Sequence, residues 1–488
     1  MGVVPHAKAG ASSRTPNWLR MNMSPPVKEI GLGAALLCAA GAVVSFILAY
    51  ASTGCEFLIA VFFACLFPLA RLRTRRLAYY FGLGIGFAIY TPHLLFFRAI
   101  FGWASIALWY ILPFWLGLFV MLGRACLFRF GPVAWACLAP FLWTGLEFFR
   151  SELYYLRFSW LNAGYVFSGS AALHYLSAYG VYGIGFLLMA AVGAAHLRGR
   201  ARRMGVALLT AAALYPAMIP APRAGAQKTL RVAGVQMECP DSATVLAALD
   251  DTLAKFPGAD VLVLSEYTFH RPVPDTIKAW CRAHGRYLVV GAEDPAPPSD
   301  YYDTAFVVDT NGAIAFRQAK CVPVQFMKDG LPARQQQLWD SPWGKIGLGV
   351  CYDDGYSRVT DELIRQGAQA LIFPTMDITN WGEAQHLLHG RLASMRAAEY
   401  AVPIFRVCSS GVSQIIDGTG RVLSSAPFPG DGAMLAAEMP LPGQGRMPPD
   451  RWLARLSVAV AGALSGWLGV EAILQKVRGK ARPGSEPV

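Results

Sequence analysis

IGLGVCYDD, residues Ile346–Asp354, is an apolar run spaced by glycines that ends at a cysteine, an aromatic residue and two acids. A short apolar run of this kind is typical of a buried strand. Open α/β sheets present their chemistry at the carboxyl ends of such strands. Cys351 is therefore a candidate nucleophile. The same pattern also fits a structural core thiol, because free cysteine is among the most buried residue types.

This stretch belongs to a longer region, about 228–445, in which β-rich runs alternate with helical patterns. Alternation at this spacing predicts a layered α/β domain, and the region is long enough to bury a core of its own. The predicted helices are 243–256, 274–284, 358–367 and 385–400. The predicted strands are Thr229–Val235, Val261–Ser265, Tyr287–Gly291, Ala305–Val308, Ile346–Cys351, Ala370–Pro374, Val402–Val407 and Ser413–Ile416.

The composition of the whole chain indicates membrane spans. Of 488 residues, 55% are hydrophobic and only 15% are charged. The net charge of +12 arises from short basic clusters between apolar runs, as in cytoplasmic membrane flanks, so we expect no nucleic-acid partner. The ten cysteines show no CxxC pair and no metal-binding spacing, so neither a disulfide framework nor a metal or cofactor is predicted. The predicted spans cover about 30–51, 56–70, 79–97, 102–123, 131–148, 176–196, 204–221 and 453–473.

The positions of the arginines predict how these spans are oriented. Basic residues separate the second span from the third (71–76), the fourth from the fifth (124–129) and the sixth from the seventh (198–203). Cytoplasmic loops are enriched in Lys and Arg, so these connections and the N-terminus are predicted to be cytoplasmic. The predicted organisation is a cytoplasmic tail (1–29), a seven-span membrane domain (30–221), an extracytoplasmic domain (228–445), an eighth span (453–473) and a cytoplasmic tail (474–488).

Three segments of the α/β region end in chemically useful residues. Val261–Glu266 ends in a carboxylate, Ala315–Lys320 ends in an amine, and the third segment ends in Cys351. Strands often end in charged residues at the water boundary, so each residue alone also has a structural explanation. Together they supply the base, the fixed cation and the nucleophile that covalent thiol catalysis requires.

These three residues, in this order, resemble the Glu-Lys-Cys triad of the nitrilase (carbon–nitrogen hydrolase) superfamily. The flanking segments Trp343–Gly347, His389–Glu399 and Gly411–Ser413 are similar to that superfamily as well. Seven spans before such a domain and one after it resemble the layout of the apolipoprotein N-acyltransferase family, as does the membrane-half segment Phe158–Tyr165. The resemblance covers about residues 30–475 and implies an αββα sandwich for the α/β region.

The resemblance implies a two-step acyl transfer. Cys351 would accept an acyl chain from a phospholipid as a thioester and pass it to the α-amine of the lipid-modified N-terminal cysteine of an apolipoprotein. Glu266 would serve as general base and acid. Lys320 would stabilise the oxyanion together with the backbone N–H of Tyr352. The implied location is the bacterial inner membrane, with the catalytic domain on the periplasmic face.

General electrostatics predicts the ionisation state of these groups. A thiol close to an ammonium group ionises more readily, so we expect a lowered pKa for Cys351. A partly buried carboxylate has a raised pKa, so we expect the pKa of Glu266 to move toward a range useful for proton transfer.

The chain departs from the family pattern at three places. The family has a second glutamate a few residues beyond the lysine, whereas Cys321–Asp329 contains none and leaves Gln325 or Asp329 as possible substitutes. After the cysteine, Tyr352 is followed by Asp353 rather than by glutamate, and residues 236–240 (QMECP) lack the expected neighbouring tryptophan. The triad therefore predicts thioester chemistry more firmly than it predicts the acceptor, and a different amine acceptor stays open.

A second group of residues is predicted to form the substrate pocket. Aromatic and polar side chains close to the triad could form an apolar mouth for an acyl chain, although core or lid packing explains them equally well. Arg157 could bind a headgroup phosphate or be a simple interfacial arginine. The pairing state of Cys239, Cys281, Cys321 and Cys408 is open. The pocket candidates are Tyr267, Gln325, Phe326, Trp381 and His386.

Three other functions are compatible with parts of the sequence. A membrane-anchored amidase would use the same triad, with water instead of an amine attacking the thioester. A non-enzymatic lipoprotein-binding scaffold would explain the missing second glutamate, but the intact triad argues against it. A transporter is disfavoured, because the few charges inside the spans lie near their ends.

Overall fold

The computed structural model of the protein describes residues 27–52, 54–169, 172–218 and 228–480, so most of the two predicted tails lies outside it. Before the first strand, the described residues form mainly α-helices. They are α1 (Leu32–Ala51), α2 (Leu58–Leu66), α3 (Arg75–His93), α4 (Phe97–Phe101), α5 (Ser105–Phe148), α6 (Leu173–His196) and α7 (Gly199–Met218).

Four helical stretches among the described residues are long and apolar enough to cross a membrane, whereas the sequence predicts eight spans. They are Leu32–Ala51, Phe97–Leu153, Leu173–His196 and Asp450–Leu474. Leu58–Arg71 forms a shorter apolar helical segment. The predicted third span, 79–97, corresponds to α3, which begins and ends about four residues earlier, and the separate short helix α4 follows it and leads into α5.

Helix α5 folds back on itself at Gly131. This residue has φ 85° and ψ 174°, which is not helical. The ring of Phe119 lies 5.2 Å from that of Trp143, and the ring of Trp115 lies 5.5 Å from that of Phe149. On one straight helix the first pair would be separated by roughly 36 Å. Residues 105–130 and 132–148 are therefore two antiparallel arms, and the reversal lies where the sequence predicts a connection between two spans.

The α/β region contains two six-stranded sheets, with strand orders β12-β1-β2-β3-β4-β5 and β11-β10-β9-β8-β7-β6. The three strands β1, β2 and β3 pair in parallel, as do β7, β8 and β9, and the outer strands are antiparallel. The strands are β1 (Lys228–Val235), β2 (Val261–Val263), β3 (Tyr287–Ala296), β4 (Asp300–Val308), β5 (Ile314–Ala319), β6 (Leu338–Ser341), β7 (Gly344–Leu348), β8 (Ala370–Thr375), β9 (Ile404–Cys408), β10 (Ser413–Ile416), β11 (Val422–Ala426) and β12 (Met434–Leu441).

The two sheets pack face to face and helices cover both outer faces. Alternate residues of the central strands, such as Val232 and Ile372, form the buried layer between the sheets. Helices α8 (Ser242–Lys255) and α9 (Asp275–His284) cover the first sheet, and α10 (Ser357–Arg365) and α11 (Glu383–Tyr400) cover the second. The αββα sandwich expected from the resemblance is confirmed.

All eight predicted strands are present, and the differences occur at strand ends and sheet edges. Strand β7 ends at Leu348, so Cys351 is not the last residue of a strand but the first residue of a 3₁₀ turn, Cys351–Gly355. Strands β6, β11 and β12 were not predicted, and β5 was anticipated only as the segment Ala315–Lys320 that ends in the lysine. These four are the terminal strands of the two sheets, and their mixed polar sequences give a weak strand pattern.

A buried cluster of charges joins the sandwich to the helices. Arg451, at the start of helix α12 (Asp450–Lys480), donates hydrogen bonds to Glu399 at 2.9 Å and to Asp361 at 3.0 Å. The carboxylate of Asp450 in turn accepts the backbone N–H of Tyr182 in α6 at 2.9 Å. We refer to this group as the junction cluster, which consists of Asp361, Arg396, Glu399, Asp450 and Arg451.

Candidate active site

The three residues predicted from strand ends converge in the sandwich. Glu266 follows β2, Lys320 follows β5 and Cys351 follows β7. Nζ of Lys320 lies 2.7 Å from Oε1 of Glu266, and the thiol of Cys351 lies next to the same carboxylate. All three side chains are buried, with residue exposures of 2%, 1% and 5% for Glu266, Lys320 and Cys351. The structure therefore brings together a thiol, a carboxylate and an ammonium group away from bulk water.

The backbone at the cysteine is held in an unusual conformation. Cys351 has φ 48°, a left-handed value that few non-glycine residues adopt and that is common at functional sites. The carboxylate of Asp353 accepts the N–H groups of Val350 at 3.1 Å and of Cys321 at 3.0 Å. Burial raises the pKa of Asp353 to about 6, although these backbone N–H groups oppose the rise. Asp353 thus ties the turn that begins at Cys351 to the residue after Lys320.

The structure distinguishes between the two possible substitutes for the missing glutamate. The carboxylate of Asp329 lies 2.8 Å from Nζ of Lys320 and accepts a hydrogen bond from the hydroxyl of Tyr267 at 3.1 Å. Gln325 instead donates to the backbone carbonyl of Tyr155, at the helical part of the chain. Asp329 therefore provides the second carboxylate at the lysine.

Sequence reasoning missed a third carboxylate, that of Asp303. It lies 3.4 Å from Nζ of Lys320, is fully buried, and its side chain is hydrogen-bonded to that of Glu266. Burial and the negative charge of Glu266 raise the pKa of Asp303 well above its usual value, which favours the protonated form of this acid. The predicted strand began at Ala305 and gave no reason to consider this position.

The three carboxylates surround Lys320, and we refer to the four residues Glu266, Asp303, Lys320 and Asp329 as the site cluster. The carboxylate oxygens lie within 4.8 Å of one another, a spacing that could hold a metal ion. Nζ of Lys320, however, lies 2.7 to 3.4 Å from all three groups. The cation of this cluster is therefore an ammonium group supplied by the chain itself.

Both ionisation states expected from the sequence are wrong. Burial alone would raise the pKa of Glu266, but the charge of Lys320 and the hydrogen bonds from Asp303, Lys320 and Cys351 together outweigh it and lower this pKa below the usual value. Burial and the neighbouring charge of Glu266 raise the pKa of Cys351 well above its usual value, and Lys320 offsets this only in part. The resting site thus contains a protonated thiol beside an ionised carboxylate.

A second buried network contacts the 3₁₀ turn that begins at Cys351. His389 contacts Asp377 through Nδ1 at 2.9 Å and Asp354 through Nε2 at 3.2 Å, and Arg406 pairs with Asp377 at 2.6 Å. Met376, which precedes Asp377, donates its N–H to Glu266 and accepts the thiol of Cys351 at 3.7 Å. The network therefore fixes the backbone that contacts both the carboxylate and the thiol.

Cys351 opens into an apolar path that leads to the helices. Two adjoining cavities, of about 70 and 50 Å³, share several aromatic residues, and the first is lined by Cys351 and Trp381. The second is lined by Gln325, Phe326 and residues of the first arm of α5. The residues common to both cavities are Phe97, Phe101, Phe158, Val324 and Tyr352.

The remaining pocket candidates lie elsewhere. Tyr267 is buried against Asp329. His386 is fully buried, and its ring stacks on Phe428 with the ring centroids 4.2 Å apart. Neither residue is among those that line the two cavities. Arg157 lines the second cavity, and its Nε has no hydrogen-bond partner among the described residues.

The ten cysteines, all of which lie in the described part of the chain, form no disulfide. Cys281 and Cys408 are buried, Cys321 is half-buried and Cys239 is exposed. Cys351 therefore differs from the other thiols of the sandwich in its partners, because it is the one that faces Glu266 and Lys320.

Comparison with known families agrees with this architecture. Residues 246–444 match the carbon-nitrogen hydrolase family, so the sandwich is a domain of the nitrilase type. Residues 41–194 match the apolipoprotein N-acyltransferase N-terminal domain. The combination of these two domains in this order shows that the chain belongs to the apolipoprotein N-acyltransferase family.

Curated relatives match parts of the chain. An apolipoprotein N-acyltransferase of Nitrosomonas europaea is 26% identical over 59% of this chain and 66% of its own length. A deaminated glutathione amidase of Dictyostelium discoideum is 30% identical over 27% of this chain and 51% of its own length. The match thus spans less than two thirds of either relative. A solved carbon-nitrogen hydrolase of Helicobacter pylori shares 18% identity at a TM-score of 0.39, covering 44% of this chain and 90% of its own.

Proposed function

We propose that the protein is a membrane-integral N-acyltransferase. It moves a fatty acyl chain from a phospholipid, through a thioester on Cys351, to an amine, and the lipid-modified N-terminal cysteine of an apolipoprotein is the expected acceptor. The observation that carries this proposal is the apolar path from the helices to a thiol that faces Glu266 and Lys320. An amidase acting on small polar amides would have no use for an apolar path of this kind.

The first half-reaction follows from the positions of the three groups. The sulfur of Cys351 attacks the ester carbonyl of the phospholipid while the carboxylate of Glu266 removes the thiol proton. The carbonyl oxygen becomes an oxyanion, which the ammonium of Lys320 and the backbone N–H of Tyr352 stabilise. The C–O bond then breaks, Glu266 returns its proton to the departing alkoxide, and a lysophospholipid leaves behind a thioester.

The second half-reaction uses the same groups in the reverse order. The amine of the acceptor attacks the thioester carbonyl, and Glu266 accepts a proton from the attacking nitrogen. The new oxyanion collapses with cleavage of the C–S bond, which leaves an amide and returns the proton to the sulfur of Cys351. Exclusion of water from the buried site favours the amine over hydrolysis.

Arg157 is suited to hold the headgroup of the phospholipid donor. Its side chain lines the outer of the two cavities, where the helices meet the sandwich. A guanidinium group binds phosphate through directed hydrogen bonds, and the unpartnered Nε of Arg157 is available for one. The aromatic side chains of Phe97 and Phe158 would then contact the acyl chain on its way to Cys351.

Eight membrane crossings are consistent with the helices when the two arms of α5 are counted separately. The crossings would be α1, the segment Leu58–Arg71, α3, the arms 105–130 and 132–148, α6, α7 and α12. With the arginine-rich connections in the cytoplasm, the sandwich would lie on the periplasmic face of the bacterial inner membrane.

The intact mass of the purified protein, incubated with phospholipid in the absence of an acceptor, tests this proposal. We expect the wild type to gain the mass of one acyl chain, and Cys351→Ala to gain nothing. Cys239→Ala removes an exposed thiol outside the site and should behave as the wild type. Release of free fatty acid without a stable adduct would instead identify a hydrolase, and the absence of both would exclude thioester chemistry.

A further inference from the structure

A cavity of about 550 Å³ lies among the helix ends far from the catalytic thiol. Its lining combines basic and apolar side chains. Lys28, Arg71 and Arg198 supply three cationic groups, while Phe67, Leu127 and Trp135 contribute apolar walls. No aspartate or glutamate is among the residues that line it.

Helix α1 shows that the cavity lies at the membrane face opposite the sandwich. The backbone carbonyl of Tyr50, near the end of α1, accepts a hydrogen bond from Arg391 of the sandwich at 2.6 Å. Lys28, which lines the cavity, precedes the start of the same helix. A helix of 20 residues spans about 30 Å, which matches the thickness of the hydrocarbon core of a bilayer.

The basic groups form a fixed arrangement at this face. Nε of Arg71 donates to the backbone carbonyl of Lys28 at 2.7 Å, and the N–H of Ile30 donates to the carbonyl of Arg71 at 3.0 Å. These contacts hold the segment before α1 against the end of the Leu58–Arg71 segment. Arg198 enters the cavity from the C-terminal end of α6. The nearest acid in sequence, Glu29, does not line the cavity and interacts with Arg124.

The apolar wall contains one unsatisfied donor. The ring of Trp135 stacks on that of Phe67 with the centroids 5.1 Å apart. Its indole N–H is buried and has no hydrogen-bond partner in the described part of the chain. A buried donor without a partner is costly, so an acceptor oxygen at this position would stabilise the cavity.

We propose that this cavity binds the headgroup of an anionic phospholipid from the leaflet opposite the catalytic domain, with its acyl chains against the apolar wall. Basic pockets between membrane helices on the cytoplasmic side bind anionic headgroups in this way. Inorganic phosphate would satisfy the charges but leave the apolar wall uncovered. Residues 1–26 contain Lys8, Arg14 and Arg20 and no acid, so this segment does not complement the charge of the cavity.

Native mass spectrometry of the detergent-solubilised full chain tests the proposal. The probe is a diether phosphatidylglycerol, which has no carboxylic ester and cannot acylate Cys351. We expect the wild type to retain one lipid more than the double variant Lys28→Ala/Arg198→Ala, in which the affinity of this cavity should fall about tenfold, whereas any lipid held at the donor site near Cys351 is common to both. A diether phosphatidylcholine should bind no more tightly to the wild type than to this variant.

Two further variants and one competitor complete the experiment. Arg202→Ala removes a charge from α7 that does not line the cavity, and it should retain the lipid. Arg198→Lys keeps the positive charge and should retain the lipid as the wild type does. The loss of lipid in the double variant would then reflect the missing charges and not a failure to fold. Equal retention by the wild type and the double variant would overturn the proposal. Displacement of the lipid by millimolar inorganic phosphate would show an anion site without lipid specificity and would overturn it as well.

Discussion

The site cluster and the junction cluster are both buried groups of charges, but their hydrogen bonding differs. In the junction cluster two arginines face three acids, and every side-chain nitrogen and oxygen has a partner in the described structure. In the site cluster a single lysine faces three acids, and the side chain of Asp303 is hydrogen-bonded to another acid, Glu266. Two clusters of similar burial are thus arranged in different ways.

This difference separates a structural role from a chemical one. The guanidinium fork of Arg451 binds several carboxylates in fixed directions, which holds α12 against the sandwich. Lys320 is a single point charge among three acids, so acids outnumber cations by two in the site cluster and by only one in the junction cluster. The larger excess of acids favours a proton on one of the acids near the thiol, where the proposed reaction requires proton transfer. Variants of the two clusters should accordingly affect different measurements.

The largest effect is expected for Cys351→Ala. The variant lacks the nucleophile, so transfer of acyl chains to an amine-bearing lipopeptide should fall at least about 10⁴-fold. Its thermal unfolding in detergent should match that of the wild type, because a small buried group is removed from a cavity wall. Substantial residual transfer would show that another group forms the thioester.

Breaking the junction cluster should reduce stability. Arg451→Met leaves Asp361 and Asp450 buried without this arginine, while Glu399 keeps Arg396, and the change should lower the free energy of unfolding by about 3–5 kcal/mol. The rate of acyl transfer per folded molecule should change much less. Arg455→Met, an exposed arginine one turn further along α12, is the matched control and should unfold as the wild type does. An unchanged unfolding temperature in Arg451→Met would remove the structural role of the cluster.

Removing the cation from the site cluster should reduce the rate. Lys320→Ala lacks a donor to the oxyanion, and the loss of one such donor lowers the rate about 10²–10³-fold. The measurement is the rate of thioester formation followed by mass spectrometry. Lys328→Ala, an exposed lysine on the same loop, should leave the rate unchanged. A normal rate for Lys320→Ala would exclude oxyanion stabilisation by this residue.

The pH dependence of alkylation tests the ionisation state of the thiol. Because the pKa of Cys351 is raised, its modification by iodoacetamide should not increase until the pH exceeds about 9, above the value of a free thiol. Because the pKa of Glu266 is lowered, this base stays ionised as the pH falls from 7 to 5, so thioester formation, which involves no amine, should not lose its base until the pH is below about 4. Peptide mapping with the exposed Cys239 as reference provides the first measurement. A rise in Cys351 alkylation below pH 8 would contradict the assignment.

The smallest effect is expected for Asp303→Asn. A protonated carboxyl group and an amide are similar in shape and charge, so the rate of thioester formation should change by less than about tenfold. Asp329→Asn removes a charge that faces Lys320, and its effect should be larger. If Asp303→Asn reduced the rate more than Asp329→Asn, the proton would belong to Asp329 rather than to Asp303.

The proximity of Glu266, Lys320 and Cys351 could be predicted from the sequence because each follows a strand-like run of the α/β region and the three resemble a known triad. Asp303 and Asp329 could not, because their approach to Lys320 depends on strand pairing and loop geometry. Residue 303 reaches the lysine through the antiparallel pairing of β4 with β5, in which Thr304 lies opposite Ala319. The directions predicted for the pKa shifts of Cys351 and Glu266 were also wrong. Burial and a nearby charge act in opposite directions, and only the distances in the structure decide which effect is larger.

The loop after Lys320 connects the site cluster to the apolar path. Its residue Asp329 binds the lysine, whereas Val324 and Phe326 line the apolar path, and the N–H of Val324 donates to the carboxylate of Asp329 at 2.6 Å. An acyl chain that moves Val324 therefore also changes the charge around Lys320. Occupancy of the path and protonation of the site are linked equilibria, so lipid binding should take up or release protons, and pH should alter lipid affinity by the same free energy.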